Sequence, residues 1–310
     1  RNVVSWVPSG GKPISGIVLI AHGLFAHAQT HSREALEFAK QGFAVYAIDH
    51  VGHGISSGER ARLNSWQELR DDYIAFAGTV QALHPVNTPV LLYGHSMGCL
   101  VTAHAAAGIS NVKAIIFSGF PLVAGPGAAS IFGCRCLYPI SRLSCIAKVG
   151  ACMAVLDPKG PTAPVILEAI TSNKEMLEKF KTDPRRYHGW LMNVSSAQLL
   201  AMIDQLKYGQ ALKDIKVPVL LMHGVDDEIA YPAGSELAHT LLGTPAEQKQ
   251  LTLLPGLMHE FYNEVEPKAT EAVEKIATYA KEQMSTAAAV AATDVAVKVE
   301  DSTARRLVPA

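Results

Sequence analysis

Short apolar runs rich in β-branched residues recur along this chain, and longer segments of helical character separate them. Gly16-Ile17-Val18-Leu19-Ile20-Ala21 has no charged residue, and comparable runs span 3–7, 43–48, 89–93, 112–118, 217–222 and 250–254. Runs of this length without strict polar alternation predict strands buried on both faces. Segments 31–40, 66–83, 97–107, 232–242 and 267–284 read as helices, and Gly42 stands where a C-terminal cap would end the first. Strands alternating with helices predict an α/β protein with a mostly parallel sheet covered on both sides.

The rhythm breaks between Gly119 and about Gln210. This stretch opens with Pro121, Gly125, Pro126 and Gly127, and helices are predicted near 129–155, 162–181 and 184–206. An insertion here sits over the carboxyl ends of the strands, where open α/β sheets bind ligands. The organisation expected is a core of 1–118 and 211–284 with a helical cap of 119–210. Residues 285–310 are rich in Ala and Val without a clear period, and read as a disordered or weakly docked tail.

Three hundred and ten residues suit one sizeable domain with an insertion, or two small domains. A net charge of −1 gives no reason to expect a nucleic-acid partner. The five cysteines are odd in number and lack Cys-x-x-Cys or Cys/His ligand spacing. Free thiols in a reducing, cytoplasmic setting are therefore expected, rather than zinc or disulfides. No apolar stretch of about 20 residues runs uninterrupted. Charge does change the picture of the cap. No Asp or Glu occurs from Tyr73 to Leu156, and 120–156 carries only Arg135, Arg142 and Lys148 among apolar residues such as Ile131 and Phe132. Two readings stay open: a cap helix packed on the core, or a lid edge in peripheral contact with an anionic membrane surface.

The chemistry enters at Pro89-Val90-Leu91-Leu92-Tyr93-Gly94-His95-Ser96-Met97-Gly98. An apolar run ends in G-x-S-x-G, and a small-residue helical segment follows, which is the context of a nucleophile elbow. Ser96 is the candidate nucleophile, and the Met97 N–H can face a developing oxyanion. Such a serine requires a histidine base and a carboxylate to orient it, in the order Ser, Asp, His in this arrangement. The run 217–222 leads into His223-Gly224-Val225-Asp226-Asp227-Glu228, and 250–254 leads into Pro255-Gly256-Leu257-Met258-His259-Glu260. His259 is the expected base. Asp227, three residues after Gly224, is the favoured acid, with Asp226 as the competitor. His22-Gly23-Leu24-Phe25 follows the run 16–21, so the Leu24 N–H is the second oxyanion donor expected, with Phe25 as the alternative. Phe25, His95, Phe120 and Leu122 are assigned to substrate contact. His50, His53 and His95 are expected to bond backbone rather than act as base. His22, His27 and His31 lack the helical pairing with a carboxylate that a metal site of the H-E-x-x-H kind needs.

With these residues placed, a family resemblance follows. Asp49-His50-Val51-Gly52-His53-Gly54-Ile55-Ser56-Ser57-Gly58-Glu59-Arg60 and Gly94-His95-Ser96-Met97-Gly98 resemble blocks of monoacylglycerol lipases, the monoglyceride lipase and lysophospholipase group of serine hydrolases. Asp183-Pro184 and His223-Gly224 also fit. The resemblance covers about residues 3 to 284. It implies an eight-stranded α/β-hydrolase core, a mobile cap that meets the membrane, and Ser96, Asp227 and His259 as the triad, with Leu24 and Met97 as oxyanion donors. Two departures stand out: Phe25-Ala26 where the group carries a Gly and a Glu, and Cys99 where it carries a Gly. The expected activity is hydrolysis of a monoacylglycerol or related lipid monoester without metal or organic cofactor. A lysophospholipase or acyltransferase on the same triad is the alternative, and a non-catalytic binding protein on the same fold a more distant one.

Overall fold

A computed structural model describes residues 1–8, 14–123, 153–164 and 166–285 of the chain. The core begins with β1 (Val3–Trp6), β2 (Gly16–Ala21), α1 (Ser32–Lys40), β3 (Phe43–Ile48), α2 (Trp66–Gln81), β4 (Val90–His95), α3 (Met97–Ala105) and β5 (Val112–Ser118). The segment that follows carries β6 (Pro161–Ala163), α4 (Lys174–Thr182), β7 (Leu191–Met192), α5 (Asn193–Tyr208) and α6 (Ala211–Asp214). The core resumes with β8 (Val219–Gly224), α7 (Ala233–Leu241), β9 (Lys249–Leu254) and α8, a helix over 268–285.

Seven strands form the main sheet in the order β1-β3-β2-β4-β5-β8-β9. The pairs from β3 to β9 are parallel, and β1 runs antiparallel on β3. Seven is one fewer than the resemblance implies, because among the described residues no strand pairs with the outer edge of β1. Side-chain alternation divides the strands between two cores. Ile17, Leu19 and Ala21 of β2 join Ala44, Tyr46 and Ile48 of β3 on the face covered by α2, α3 and α5. Val18, Ile20, Phe43, Val45 and Ala47 face the other way, against α1 and α8 through Ala35, Phe38, Val273 and Ile276. Burial on both faces explains why these strands read as continuous apolar runs. Ser65 caps α2 by accepting the Gln67 N–H at 3.2 Å, one of the donors a helix start leaves without an internal partner.

Between β5 and β8 the sequence-based helices need correction. The helix expected over 162–181 is broken. Pro161–Ala163 pairs with Leu191–Met192 in a two-stranded sheet, and the true helix starts at Lys174, where the Asn173 side chain accepts the Glu175 and Met176 N–H groups. The helix expected over 184–206 starts only at Asn193. Residues 183–187 are held in a turn by Asp183, which accepts the Arg185 N–H at 2.9 Å. The helix expected over 129–155 lies largely outside the described residues, as do Ile131, Phe132, Arg135, Arg142, Lys148 and the tail from 286 onward. No helix among the described residues is long and apolar enough to cross a membrane.

Candidate active site

The chain passes from β2 to β3 on one side of the sheet and then places β4 on the other side of β2. The carboxyl ends of β2 and β4 therefore flank the switch point where a parallel sheet opens a crevice. Ser96 stands at the end of β4 with φ 52° and ψ −121°, the left-handed turn between strand and helix. Such a conformation is strained for a non-glycine residue and persists only where its surroundings enforce it. Here the enforcement is close packing. A Cβ on Gly98 would lie 2.0 Å from the Ala21 carbonyl oxygen, and one on Gly94 would lie 2.6 Å from that of Gly98. The Ser96 N–H donates to the Ser118 carbonyl at 2.9 Å, which ties the elbow to the end of β5.

Asp227 and His259 come from neighbouring strand ends, β8 and β9. The two loops are stitched by Asp226 N–H to the Leu257 carbonyl at 3.0 Å. A Cβ on Gly224 would lie 2.3 Å from the carbonyls of Leu257 and Met258, so only glycine allows this approach. His259 Nδ1 then lies 2.6 Å from Asp227 Oδ2. Asp227 is 2% exposed, whereas Asp226 points to solvent. The Asp227 Oδ1 accepts the N–H groups of Ile229 and Ala230 at 2.8 and 2.9 Å. Burial works to raise this carboxyl, but the nearby His259 and the hydrogen bonds from His223 and His259 win and hold it at about 2. Burial likewise disfavours a charged His259, yet Asp227 outweighs it and the ring is raised above its ordinary value. The outcome is a carboxylate that stays ionised beside an imidazole it orients and stabilises when protonated.

Ser96 Oγ makes no hydrogen bond among the described residues, so the serine–histidine contact is not formed in this state. Such contacts are often long before substrate binds. Both residues nonetheless border the end of β5. A Cβ on Gly119, at φ 63°, would lie 3.3 Å from His259 Cε1, and the His95 ring packs 4.8 Å from that of His259. Gly119 is thus a residue that motif reading passed over. So are His223 and Ser235. His223 Nε2 sits 3.0 Å from Asp227 Oδ2 and 2.8 Å from the Ala230 carbonyl, and its Nδ1 sits 2.6 Å from Ser235 Oγ. With two acceptors at Nε2, that nitrogen carries the proton and the Ser235 hydroxyl donates to Nδ1.

The turn after β2 places Leu24 and Phe25 at the same end of the sheet. Phe25 is left-handed at φ 65°, and the Ala26 N–H donates to the Gly23 carbonyl at 3.3 Å. Leu24 N–H has no acceptor among the described residues, and Met97, the first residue of α3, has none within its helix. Gly23 permits the approach, since its Cβ would lie 3.1 Å from Ser96 Cβ. The block 49–60 proves to be scaffolding for this turn. Asp49 accepts from Ala28 N–H at 2.7 Å, Ile55 N–H at 3.0 Å and Asn2 Nδ2 at 2.8 Å. The His50 N–H donates to His22 Nε2 at 3.0 Å. As expected, His53 bonds backbone, through Nδ1 to the Val51 carbonyl at 2.9 Å. His95 differs, with a side-chain partner in Ser118 Oγ at 3.1 Å, and so does His50, whose ring nitrogens have no partner among the described residues. Among the residues assigned to substrate contact, Phe25 is half-buried against Tyr187, with rings 5.3 Å apart, and His95 is buried beside His259. Phe120 and Leu122 lie in the main core, Phe120 against Phe117 at 4.7 Å.

Comparison with known proteins fits this geometry. A family model described as serine aminopeptidase, S33, matches residues 12–266. A monoacylglycerol lipase of Mycolicibacterium smegmatis is 31% identical over 85% of this chain and 87% of its own length. A monoglyceride lipase of Rattus norvegicus is 25% identical over 92% and 88%. Among solved structures, a monoacylglycerol lipase of Paleococcus ferrophilus superposes with a TM-score of 0.74 at 20% identity, covering 91% of this chain and 98% of that one. A soluble variant of the Saccharomyces cerevisiae monoglyceride lipase, solved with a substrate analogue, gives the same TM-score and identity over 91% of each chain. With 255 positions inside the family match and a relative 31% identical over most of both chains, the chain belongs to the S33 family of α/β hydrolases and is a serine hydrolase of its monoglyceride lipase group.

Proposed function

We propose that the chain hydrolyses the ester bond of a monoacylglycerol, with Ser96 as nucleophile, His259 as general base and Asp227 as the acid that orients it. The observation that carries this reading is the buried 2.6 Å contact between Asp227 and His259, beside a serine held left-handed at the end of β4. Ser96 attacks the acyl carbonyl as His259 takes its proton through Nε2, because Nδ1–H is committed to Asp227. The Leu24 and Met97 N–H groups receive the oxyanion. His259 then protonates the leaving glycerol, and water activated by the same ring releases the fatty acid from the acyl-enzyme.

The choice of a lipid monoester rests on the 31% identical relative that bears the name monoacylglycerol lipase. Residues 119–210 form the cap in this reading, with 1–118 and 211–284 as the hydrolase core. The cap meets a membrane surface through its apolar rim, to which the exposed Met153, Val155, Leu156 and Trp190 belong. Purified protein offered monoacylglycerols, lysophospholipids and short p-nitrophenyl esters in parallel tests the substrate. A preference for monoacylglycerol, lost in Ser96→Ala, supports the reading. Faster release of fatty acid from lysophospholipid, or acyl transfer to glycerol over water, moves the assignment to those alternatives on the same residues.

A further inference from the structure

Arg186 and Glu260 are both 4% exposed at the side chain, and no step of the proposed reaction uses them. The arginine Nη2 donates to both carboxylate oxygens, at 2.7 and 2.9 Å, and its guanidinium lies 3.7 Å above the buried Phe180 ring of α4. Asn263 Nδ2 adds a third hydrogen bond to Glu260 at 2.8 Å. A buried ion pair is expensive to desolvate and needs such complete satisfaction to persist. Its location is telling. Glu260 follows His259 directly in the chain, while Arg186 belongs to the segment between β5 and β8. The same segment grips the histidine loop repeatedly. The Glu260 N–H donates to the Ile170 carbonyl at 2.9 Å, Thr171 Oγ1 to the Asn263 carbonyl at 3.2 Å, and the Ser172 N–H to Glu264 Oε1 at 2.9 Å.

We propose that Arg186 and Glu260 are a positioning pair for His259: a buried, mutually neutralised ion pair through which the cap fixes the 259–264 loop and balances the charge that the imidazole experiences. This inference rests on the reading of His259 as general base. The opposing effects are visible in the charges themselves. Glu260 and Asp227 favour the protonated ring, while Arg186 disfavours it. Burial pushes the Glu260 carboxyl upward, and Arg186 holds it below its ordinary value instead. The other titratable groups around His259 are Asp227 with His223 behind it, and His95 from β4. Beyond His95, His31 lies 5.5 Å away, bonded to Glu34 of α1, and Tyr262 lies 5.1 Å away. None of these belongs to the cap. Arg186 is the cap's one charged contact with the histidine loop among the described residues, and Glu260 is its counter-charge.

The test is the pH dependence of fluorophosphonate labelling at Ser96, which needs a neutral His259 and reads its ionisation in the free enzyme. E260Q keeps the shape and one acceptor oxygen for Arg186 but removes the negative charge, so the acid limb should move to lower pH by about half a unit or more. R186Q removes the positive charge, so the limb should move to higher pH. The double variant R186Q/E260Q should return towards wild type. A purely structural role would slow labelling and lower the melting temperature in every variant without opposite displacements of the limb. That result overturns the inference. If R186Q fails to fold, E260Q against R186K decides, because the lysine keeps the charge and should leave the limb in place. His259→Ala separates the two levels. Loss of labelling there with unmoved limbs in E260Q and R186Q sinks only the positioning pair, whereas undiminished labelling sinks the general-base reading and the pair with it.

Discussion

At the residue scale, close approaches decide which atoms the site has room for. Asp227 is enclosed by His259, His223 and two backbone donors, whereas Asp226 faces solvent and contributes only its N–H to Leu257. Asp227→Asn should therefore lower kcat on a short soluble ester by about 10⁴, the loss that follows from the wrong imidazole tautomer in the worked serine-protease case. Asp226→Asn should stay within a few-fold, and steady-state kinetics on the two variants checks the pair. Glycines give a second contrast. Gly98→Ala would drive a Cβ to 2.0 Å from the Ala21 carbonyl, while a Cβ on exposed Gly78 in α2 meets nothing within 4 Å. Gly78→Ala should stabilise the protein by about 0.4–1 kcal/mol, because alanine narrows the unfolded ensemble and suits a helix. Gly98→Ala should cost several times that or prevent folding, as thermal melts of both variants would show.

At the element scale, links between layers locate stability. The Tyr73 hydroxyl of α2 donates to the Leu19 carbonyl of β2 at 2.9 Å, fully buried. Tyr73→Phe removes one buried hydrogen bond and should lower the free energy of unfolding by about 1 kcal/mol in a urea titration. The elements also show what was legible beforehand. β2, β3 and β5 match their apolar runs because burial on both faces writes a simple signal. The elbow was readable because G-x-S-x-G joins a strand to a helix. The segment between β5 and β8 was not readable in the same way. β6 is three residues long and pairs with two residues of β7, too short for periodicity to register. The turn at 183–187 depends on Asp183, whose partners His27 and Arg185 include one 156 residues distant in sequence. His223 was seen only as the residue before a glycine. Its contact with Asp227 needs the turn through 224–227 to be folded first.

At the scale of the whole molecule, three histidines, His22, His50 and His53, sit buried together behind the turn that follows β2, with ring centroids 4.4 Å apart for His22–His50 and 5.4 Å apart for His22–His53. Burial keeps all three neutral, lowering His50 to about 3, His53 to about 4 and His22 well below its usual value. The unfolded chain takes up these protons below about pH 6.5, but the folded chain does not. Their contribution is thus intact above that pH and is lost as the pH falls from about 6.5 through 4 towards 3. His259 has the opposite sign, since a raised value favours the fold below about 6.5 and the benefit fades as pH rises through its folded value. Asp227, lowered to about 2, acts only at the acid extreme. Urea titrations should show stability falling from pH 7 to pH 4.5. His50→Phe, which removes a ring whose two nitrogens lack partners among the described residues, should flatten that slope by about one proton, or about 1.4 kcal/mol per pH unit.

The proposed chemistry depends on one left-handed serine at the end of β4, Ser96, activated by His259 and Asp227. Fluorophosphonate labelling followed by intact-mass and peptide mapping tests it most directly. A single adduct on Ser96 is expected, absent in Ser96→Ala and strongly slowed in His259→Ala, with loss of monoacylglycerol hydrolysis in the same two proteins. An adduct on another serine, or hydrolysis that survives in folded Ser96→Ala, would contradict it.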